Sequence, residues 1–565
     1  MRYKTKYAAL SILTIVSLSS CDGFLKENIQ NGRYGEEIVW SNPKLAEGVL
    51  LKAYQLMPGD YTQKTDYGTD DMVTNLVTDN TVTMATGGWT SRNSPFSNDY
   101  SNAYKAIMHI NDFLENMEKV NFAQLSDPSV DEAYHRRLKG EAYALRAWWE
   151  AGLLKEFGGE DADGNLLGFP ILCRPVRDVE KAKIPRSTYT ECVRQILADC
   201  DSALMFLPLK WEGSDRVMGS GCKNRINGLD VMALKSRVLL TAASPAFAAS
   251  GYTMREAADA AASVMNQNGG ISNLDPRGLV FYSHGTGGVD YLESCNEVFW
   301  YSSISASLNR ETRMFPPTLF GQGEINPSQN LVNCFPMRNG YPIDDAAHSG
   351  FNATAPFAGR DPRLDLFIYH NGSSVSGIHN VVLNLATGLD AIGGNVYSTR
   401  TGYYMRKLLD ENVKLDKNLQ TSTNHYIVRL RYTETLLNFA EAANAVVGPD
   451  TQVGGFTARE VVNALRTRAG ITGTDYVDGL DRDGLAALIR NERRLELCFE
   501  GFRFWDLRRW NDVATMNENI SGYDSAGNSV IGEVEVRKYE PYMIYAPIPY
   551  SETEVYGIVQ NRGWE

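Results

Sequence analysis

Small residues recur at helical spacing in three well-separated stretches of the chain. In RLKGEAYALRAWWEAGLLKEFGG, residues 137–159, Gly140, Ala144, Ala147 and Ala151 follow one another at four, three and four, while Leu138, Ala142, Leu145 and Trp149 form an adjoining stripe. A stripe of small side chains lets a neighbouring helix approach closely. DVMALKSRVLLTAAS, residues 230–244, repeats the device with Ala233, Ser236, Leu240 and Ala243, and Pro245 stops it. RLRYTETLLNFAEAANA, residues 429–445, does so with Leu436, Leu437, Ala440 and Asn444, and a further helix is expected at about 102–117. Such helices suit hairpins of the tetratricopeptide sort, although their spacing is too irregular for a strict repeat.

Between residues 265 and 425 the pattern changes. Gly, Asn, Ser, Thr and Pro become frequent, helical periodicity fades, and turn signals stand at Asn339, Asn371 and Gly393. The expectation is a mainly α, single-domain fold over residues 21–565. A tetratricopeptide-like helical scaffold occupies about 21–264 and 426–565, and a long irregular region of loops and short strands about 265–425. Long loops in a folded protein often carry function. TGGWTSRNSPFS, residues 86–97, is a second loop of this kind.

The N-terminus carries a separate signal. Arg2, Lys4 and Lys6 precede a largely apolar run, Ala8 to Val16, that is too short to span a bilayer and reads as a signal peptide over residues 1–20. Leu18, Ser19 and Ser20 lead directly into Cys21, which resembles a bacterial lipoprotein signal with Cys21 as the lipidated first residue. Several acyl chains on one residue anchor a protein stably. The other seven cysteines are scattered, an odd number that forms no disulfide framework, and are expected to be small buried hydrophobes. A net charge of −13 argues against nucleic-acid binding.

NERRLELCFEGFRFWDLRRW, residues 491–510, sets four acidic side chains and five arginines among aromatics. A helix over 485–501 with Gly501 at its cap would stack Glu492, Glu496 and Glu500 on one face. Like charges at that spacing repel, so cations should face them, and Arg503, Arg508 and Arg509 follow at once. Carboxylates so paired have depressed pKa values and make poor general acids, which favours a structural network over a glycosidase centre. HExxH, G-x-S-x-G and phosphate-loop motifs are missing from the sequence, and the glycine-rich HGTGG at 284–288 reads as a turn. No cofactor is expected. The seven histidines are dispersed and suggest no metal site.

The same run is similar to the signature of the SusD/RagB-like nutrient-binding lipoproteins of Bacteroidetes. It supplies Glu492, Arg493, Glu496, Leu497, Phe499, Glu500, Gly501, Arg503, Asp506, Leu507, Arg509 and Trp510. EAYALRA (141–147) with FGG (157–159), ALKSRVLLTA (233–242), RYTETLLNFAEAAN (431–444), DPRL (361–364), PIP (547–549) and QNRGW (560–564) resemble that family too, across essentially the whole mature chain. The resemblance implies a surface-exposed outer-membrane lipoprotein that is a binder and not an enzyme. It would capture oligosaccharide or polysaccharide and deliver it to a SusC-like TonB-dependent transporter. A binder of peptide or another nutrient in the same kind of complex is the alternative. FGGEDADGNLLGFP (157–170) expands the family's short turn. Its Asp161, Asp163 and Asn165 alternate as in a calcium loop, but Leu166 and Leu172 stand where Gly and a bidentate Glu belong, so a polar turn is expected.

Sugar recognition needs flat apolar faces with a few polar partners. Trp148, Trp149, Trp505 and Trp510 fall in helices or family core motifs and are assigned to the core. Trp89 is the leading platform candidate, an indole beside Gly87 and Gly88, with Arg92, Asn93 and Phe96 close by. The resembling family also places a stacking tryptophan in the loop before this helix. Asn309, Arg310, Phe315 and Phe320 form a second cluster, joined by Tyr341. Trp300, in an alternating, strand-like NEVFWY, is a further candidate.

Overall fold

The computed structural model describes residues 29–30, 33–59, 61, 63–123, 127–177, 183–279, 295–376 and 378–565. The signal segment with Cys21 and the HGTGG stretch lie outside the described residues. Helices dominate, as expected. The principal ones are α1 (Pro43–Gln55), α2 (Ser97–Asn116), α3 (Pro128–Phe157), α4 (Tyr189–Phe206), α5 (Gly228–Ala242), α6 (Met254–Gln267), α7 (Tyr432–Val447), α8 (Ala458–Arg468), α9 (Arg482–Leu497) and α10 (Arg503–Arg509).

Local chemistry starts these helices. Thr188 with Glu191, Asn227 with Asp230 and Thr253 with Glu256 form capping boxes at α4, α5 and α6, each answering two otherwise unpaired backbone donors. Asp127 caps α3, with Pro128 at its first turn. Consecutive helices then pack side by side from α1 to α6. The stripe of small residues on α3 works as its spacing predicts. A Cβ on Gly140 would lie 2.8 Å from Leu207 Cγ and 3.0 Å from Phe206 Cβ, so only hydrogen fits at this crossing with the end of α4.

After α6 the chain leaves the helical layer and returns at α7, which packs directly on α6 and also on α8 and α9. The excursion holds short helices and two-stranded antiparallel pairs. One of these, Val298–Tyr301 against Val428–Arg431, forms its stem. A second pair joins Met72–Thr74 to Ile325–Pro327, tying the excursion to the N-terminal part. The two larger apolar cores among the described residues lie one mainly within the helices and one centred on Phe315, Phe335, Phe367, Tyr404 and Leu495.

Between these cores lies the charged stretch, and here the expected geometry needs correction. The helix ends at Leu497. Cys498 is extended and Phe499 and Gly501 take left-handed φ of 65° and 79°, so Glu500 leaves the face shared by Glu492 and Glu496. Nor do the following arginines face these glutamates. Arg363 of the DPRL motif bonds Glu492 (3.0 Å) and Glu496 (2.9 Å), Arg466 bonds Glu492 (2.6 Å), and Arg468 bonds Glu496 (3.0 Å). Glu500 holds Arg431 (2.9 Å) and Lys407 (2.7 Å). Arg503 instead grips Asp70, and Arg509 grips Glu441 and Asp506. Burial alone would raise the Glu500 carboxyl, but Arg431 and Lys407 overcome it and hold it below the ordinary value. Buried carboxylates so fully engaged cannot reach a substrate. The network is structural.

Candidate functional site

Burial redistributes the candidate residues. Trp89 was expected at the surface and is instead 3% exposed. Gly87, at φ 95°, turns the chain so that the indole points inward. There it meets Trp564 at 4.9 Å between ring centroids, Phe96 at 5.9 Å and Phe504 at 6.3 Å, and its Nε1 donates to Ser94 Oγ. Glycines flanking a tryptophan signal a sharp turn, but not which side of the turn faces water. That side is set by QNRGW at the far end of the chain, which brings Trp564. Phe96 is buried in the same cluster. Arg92 is exposed over the Tyr550 ring at 3.9 Å, and half-buried Asn93 uses its backbone to close a turn with Thr90.

Trp300 is also corrected. It sits in a strand, as its alternation suggests, yet it is fully buried, with Nε1 donating to Asn224 O. Arg310 is buried and donates to the carbonyls of Leu408 and Tyr426, so it braces the excursion. Asn309 is exposed at the start of the short helix Asn309–Met314. Tyr341, half-buried, stacks on His348 at 4.9 Å and meets Tyr476 edge-on, in a different neighbourhood. Phe315 is buried and belongs to the second core.

Phe320 remains, and its setting is unusual. It is 64% exposed and adopts φ 65°, ψ 18°, a left-handed conformation that non-glycine residues rarely take and that costs on the order of 1–3 kcal/mol. The surrounding chain enforces it. Pro316 and Pro317 lead into a tight turn over Pro317–Leu319. Phe315 and Leu319 are anchored in the core on one side, which leaves Phe320 directed outward. Backbone bonds from Phe320 N to Pro317 O, Gln322 N to Thr312 O and Gly323 N to Phe315 O close the loop. At Gly321 a Cβ would meet Phe315 O at 2.1 Å, so glycine is required there.

Two further loops are fastened beside it. Asn75 Nδ2 donates to the carbonyls of Gln322 (2.8 Å) and Gly323 (3.1 Å). Thr318 N donates to Asp390 Oδ1 at 2.8 Å, and Tyr404 OH bridges the 389–400 loop by donating to Asp390 O and accepting from Thr399 N. Burial pushes the Asp390 carboxyl up, and the bonds from Thr318 only partly offset it. These three loops expose Leu76, Val77, Phe320, Leu389, Ile392, Val396 and Tyr397. The platform is apolar, rigidly backed and open, with the exposed side chain of Gln322 and the Tyr397 hydroxyl as polar partners. It can stack the C–H face of a ring. Tyr397 was missed in the sequence, though it follows Gly393 and Gly394, the kind of signal that drew attention to Trp89.

Elsewhere, Asp161 accepts from Asp163 N, Asn165 N and Asn165 Nδ2 within the hairpin Gly159–Glu160/Leu166–Leu167, so its carboxylate is consumed by a polar turn. Among the described residues there is no His, Cys, Asp or Glu cluster that could hold a metal, and no helix is long and apolar enough to cross a membrane. Their seven cysteines are free, and most are buried, but Cys173 is exposed.

Comparison with known proteins places this geometry. Residues 300–564 match the model of the SusD family, and residues 24–238 match a model described as starch-binding associating with outer membrane. A SusD-like protein of Formosa agariphila is 25% identical over 256 residues, 45% of this chain and 42% of its own length, so the match spans less than half of that relative. Among solved structures, a SusD-like protein from Bacteroides fragilis superposes with TM-score 0.74 at 22% identity, covering 94% of this chain and 98% of that one. A SusD-like carbohydrate binding protein from the same species gives 0.68 at 19%, covering 92% and 99%. By these two family models, which between them match residues 24–238 and 300–564, the chain belongs to the SusD family.

Proposed function

We propose that this protein is a cell-surface lipoprotein that captures an oligosaccharide or polysaccharide and passes it to a SusC-like TonB-dependent transporter. Phe320 and Tyr397 are the aromatic platform. The observation that carries the reading is Phe320, an exposed aromatic ring held in a strained conformation by a loop that is otherwise fully bonded. Strain of this kind clusters at functional sites. Family membership favours a glycan over a peptide, and an open platform suits a polymer better than a small molecule. Cys21 anchors the chain in the outer membrane in this reading, and the transporter is the partner that would receive the glycan.

Affinity electrophoresis through gels containing different polysaccharides tests it. Losing one stacked aromatic removes about 2 kcal/mol, roughly thirty-fold in affinity. Phe320→Ala should therefore abolish most of the retardation seen with the cognate polysaccharide, and Tyr397→Ala should weaken it, while both proteins melt as wild type does. Unchanged retardation in both variants would remove the platform from the site.

A further inference from the structure

A second candidate lies in the helical layer, away from the platform. A cleft of about 490 Å³ opens among α2, α3, α5 and α10, within the range of roughly 300–1,000 Å³ typical of small-molecule sites. An adjoining pocket of about 220 Å³ shares Trp148, Lys155, Glu156 and Arg237 with it. Its apolar walls are Trp148, Phe502 and Trp505, all half-buried, so two of the tryptophans assigned to the core from sequence reach an open space.

The charges of this cleft are unevenly matched. Arg237 is held by both oxygens of Glu434, Arg493 by Asp506, and Arg509 by Glu441. Arg508 is different. It is 2% exposed, its Nε donates to Ile544 O and its Nη2 to Glu156 O, and its Nη1 has no partner among the described residues. A buried charged donor left open is costly, and such groups are normally satisfied. Lys155 and Arg508 also share one indole, 4.4 Å and 4.9 Å from the Trp505 ring. Glu156 lies 3.5 Å from Lys155, and Asp99 and Glu500 also line the cleft; burial pushes the Glu156 carboxyl up to about 7, which weakens its claim on Lys155.

We infer that this cleft is a second ligand site, for a sugar acid whose carboxylate lies between Arg508 Nη1 and Lys155 Nζ and whose ring lies against Trp148, Phe502 and Trp505. Guanidinium and ammonium donors around one aromatic wall suit a ring that carries a single carboxylate. The choice of a sugar ring over an aromatic one rests on the glycan reading above.

Saturation-transfer NMR and fluorescence titration of the detergent-solubilised full chain would decide the matter, with D-glucuronate, D-galacturonate, D-glucose and phenylacetate as probes. At least one sugar acid should bind saturably, and at least tenfold more tightly than glucose. Arg508→Met should abolish that binding. Lys155→Met, on a partly exposed side chain, should weaken it about tenfold. Phe320→Ala should leave it intact even if polysaccharide binding is lost, which separates this site from the platform. The inference is overturned by the absence of saturable binding of either sugar acid, by equal binding of glucose, by full retention in Lys155→Met, or by its loss in Phe320→Ala. Tighter binding of phenylacetate than of either sugar acid would overturn the choice of sugar.

Discussion

Trp89 and Phe320 share a local description, a large aromatic in a glycine- and proline-rich loop, and have opposite fates. Trp89 is enclosed by Trp564, Phe96, Phe504 and Tyr539, whereas Phe320 has its neighbours Phe315 and Leu319 buried beneath it and its own ring in water. Their substitutions should therefore separate cleanly. Trp89→Ala would open a cavity among four rings and cost about 3–5 kcal/mol of stability, read as a fall in the urea midpoint. It should leave glycan affinity per folded molecule unchanged. A stable Trp89→Ala protein with weakened binding would restore the surface role expected from its loop.

Elements are locked by single ion pairs that cross between helices. Glu441 on α7 bonds Arg509 Nη1 and Nη2 on α10 at 2.6 and 2.7 Å and accepts from Trp510 Nε1 at 2.8 Å. Burial would raise its carboxyl, yet Arg509 prevails and holds it at about 2. A folded-state pKa below the unfolded one stabilises the fold above the unfolded value near 4.5, and that stability is lost as pH falls through the folded value. The contribution is about 3 kcal/mol at neutral pH. Wild type should thus exceed Glu441→Gln in unfolding free energy above pH 5, and the difference should shrink steadily between about pH 4.5 and 2. A difference independent of pH across that window would mean that Arg509 does not hold the carboxylate charged.

Across the whole molecule, the excursion between α6 and α7 is joined to the helices by buried charge as well as by apolar contact. Arg363 is fully buried and bonds Asp361, Glu492 and Glu496 at once. Removing one partner of such a set leaves the others uncompensated, and Arg363→Met should cost about 3–5 kcal/mol. Asp361→Leu combined with Arg363→Met should recover part of that loss, since an apolar pair can replace a buried ionic one. Chemical denaturation of the three proteins measures it. An Arg363→Met protein as stable as wild type would show that the two cores hold together without the network.

The sequence by itself determined the helices and the lineage. Small stripes such as Gly140–Ala144–Ala147 depend only on local spacing, and capping residues act within a few positions, so both could be read from composition and periodicity. The charged run 491–510 also announced a structural role, because arginines and glutamates in such number must be paired. Tertiary structure decided which residues pair and which aromatics face water. Glu496 finds Arg363 and Arg468 rather than Arg503, because Cys498 is extended, Phe499 and Gly501 turn left-handed, and distant segments supply the cations. Trp89 and Trp300 are buried by chain that arrives from elsewhere, Trp564 in the one case and Asn224 in the other. Exposure depends on every segment that packs against a residue, whereas helix spacing depends only on the residue's own neighbours.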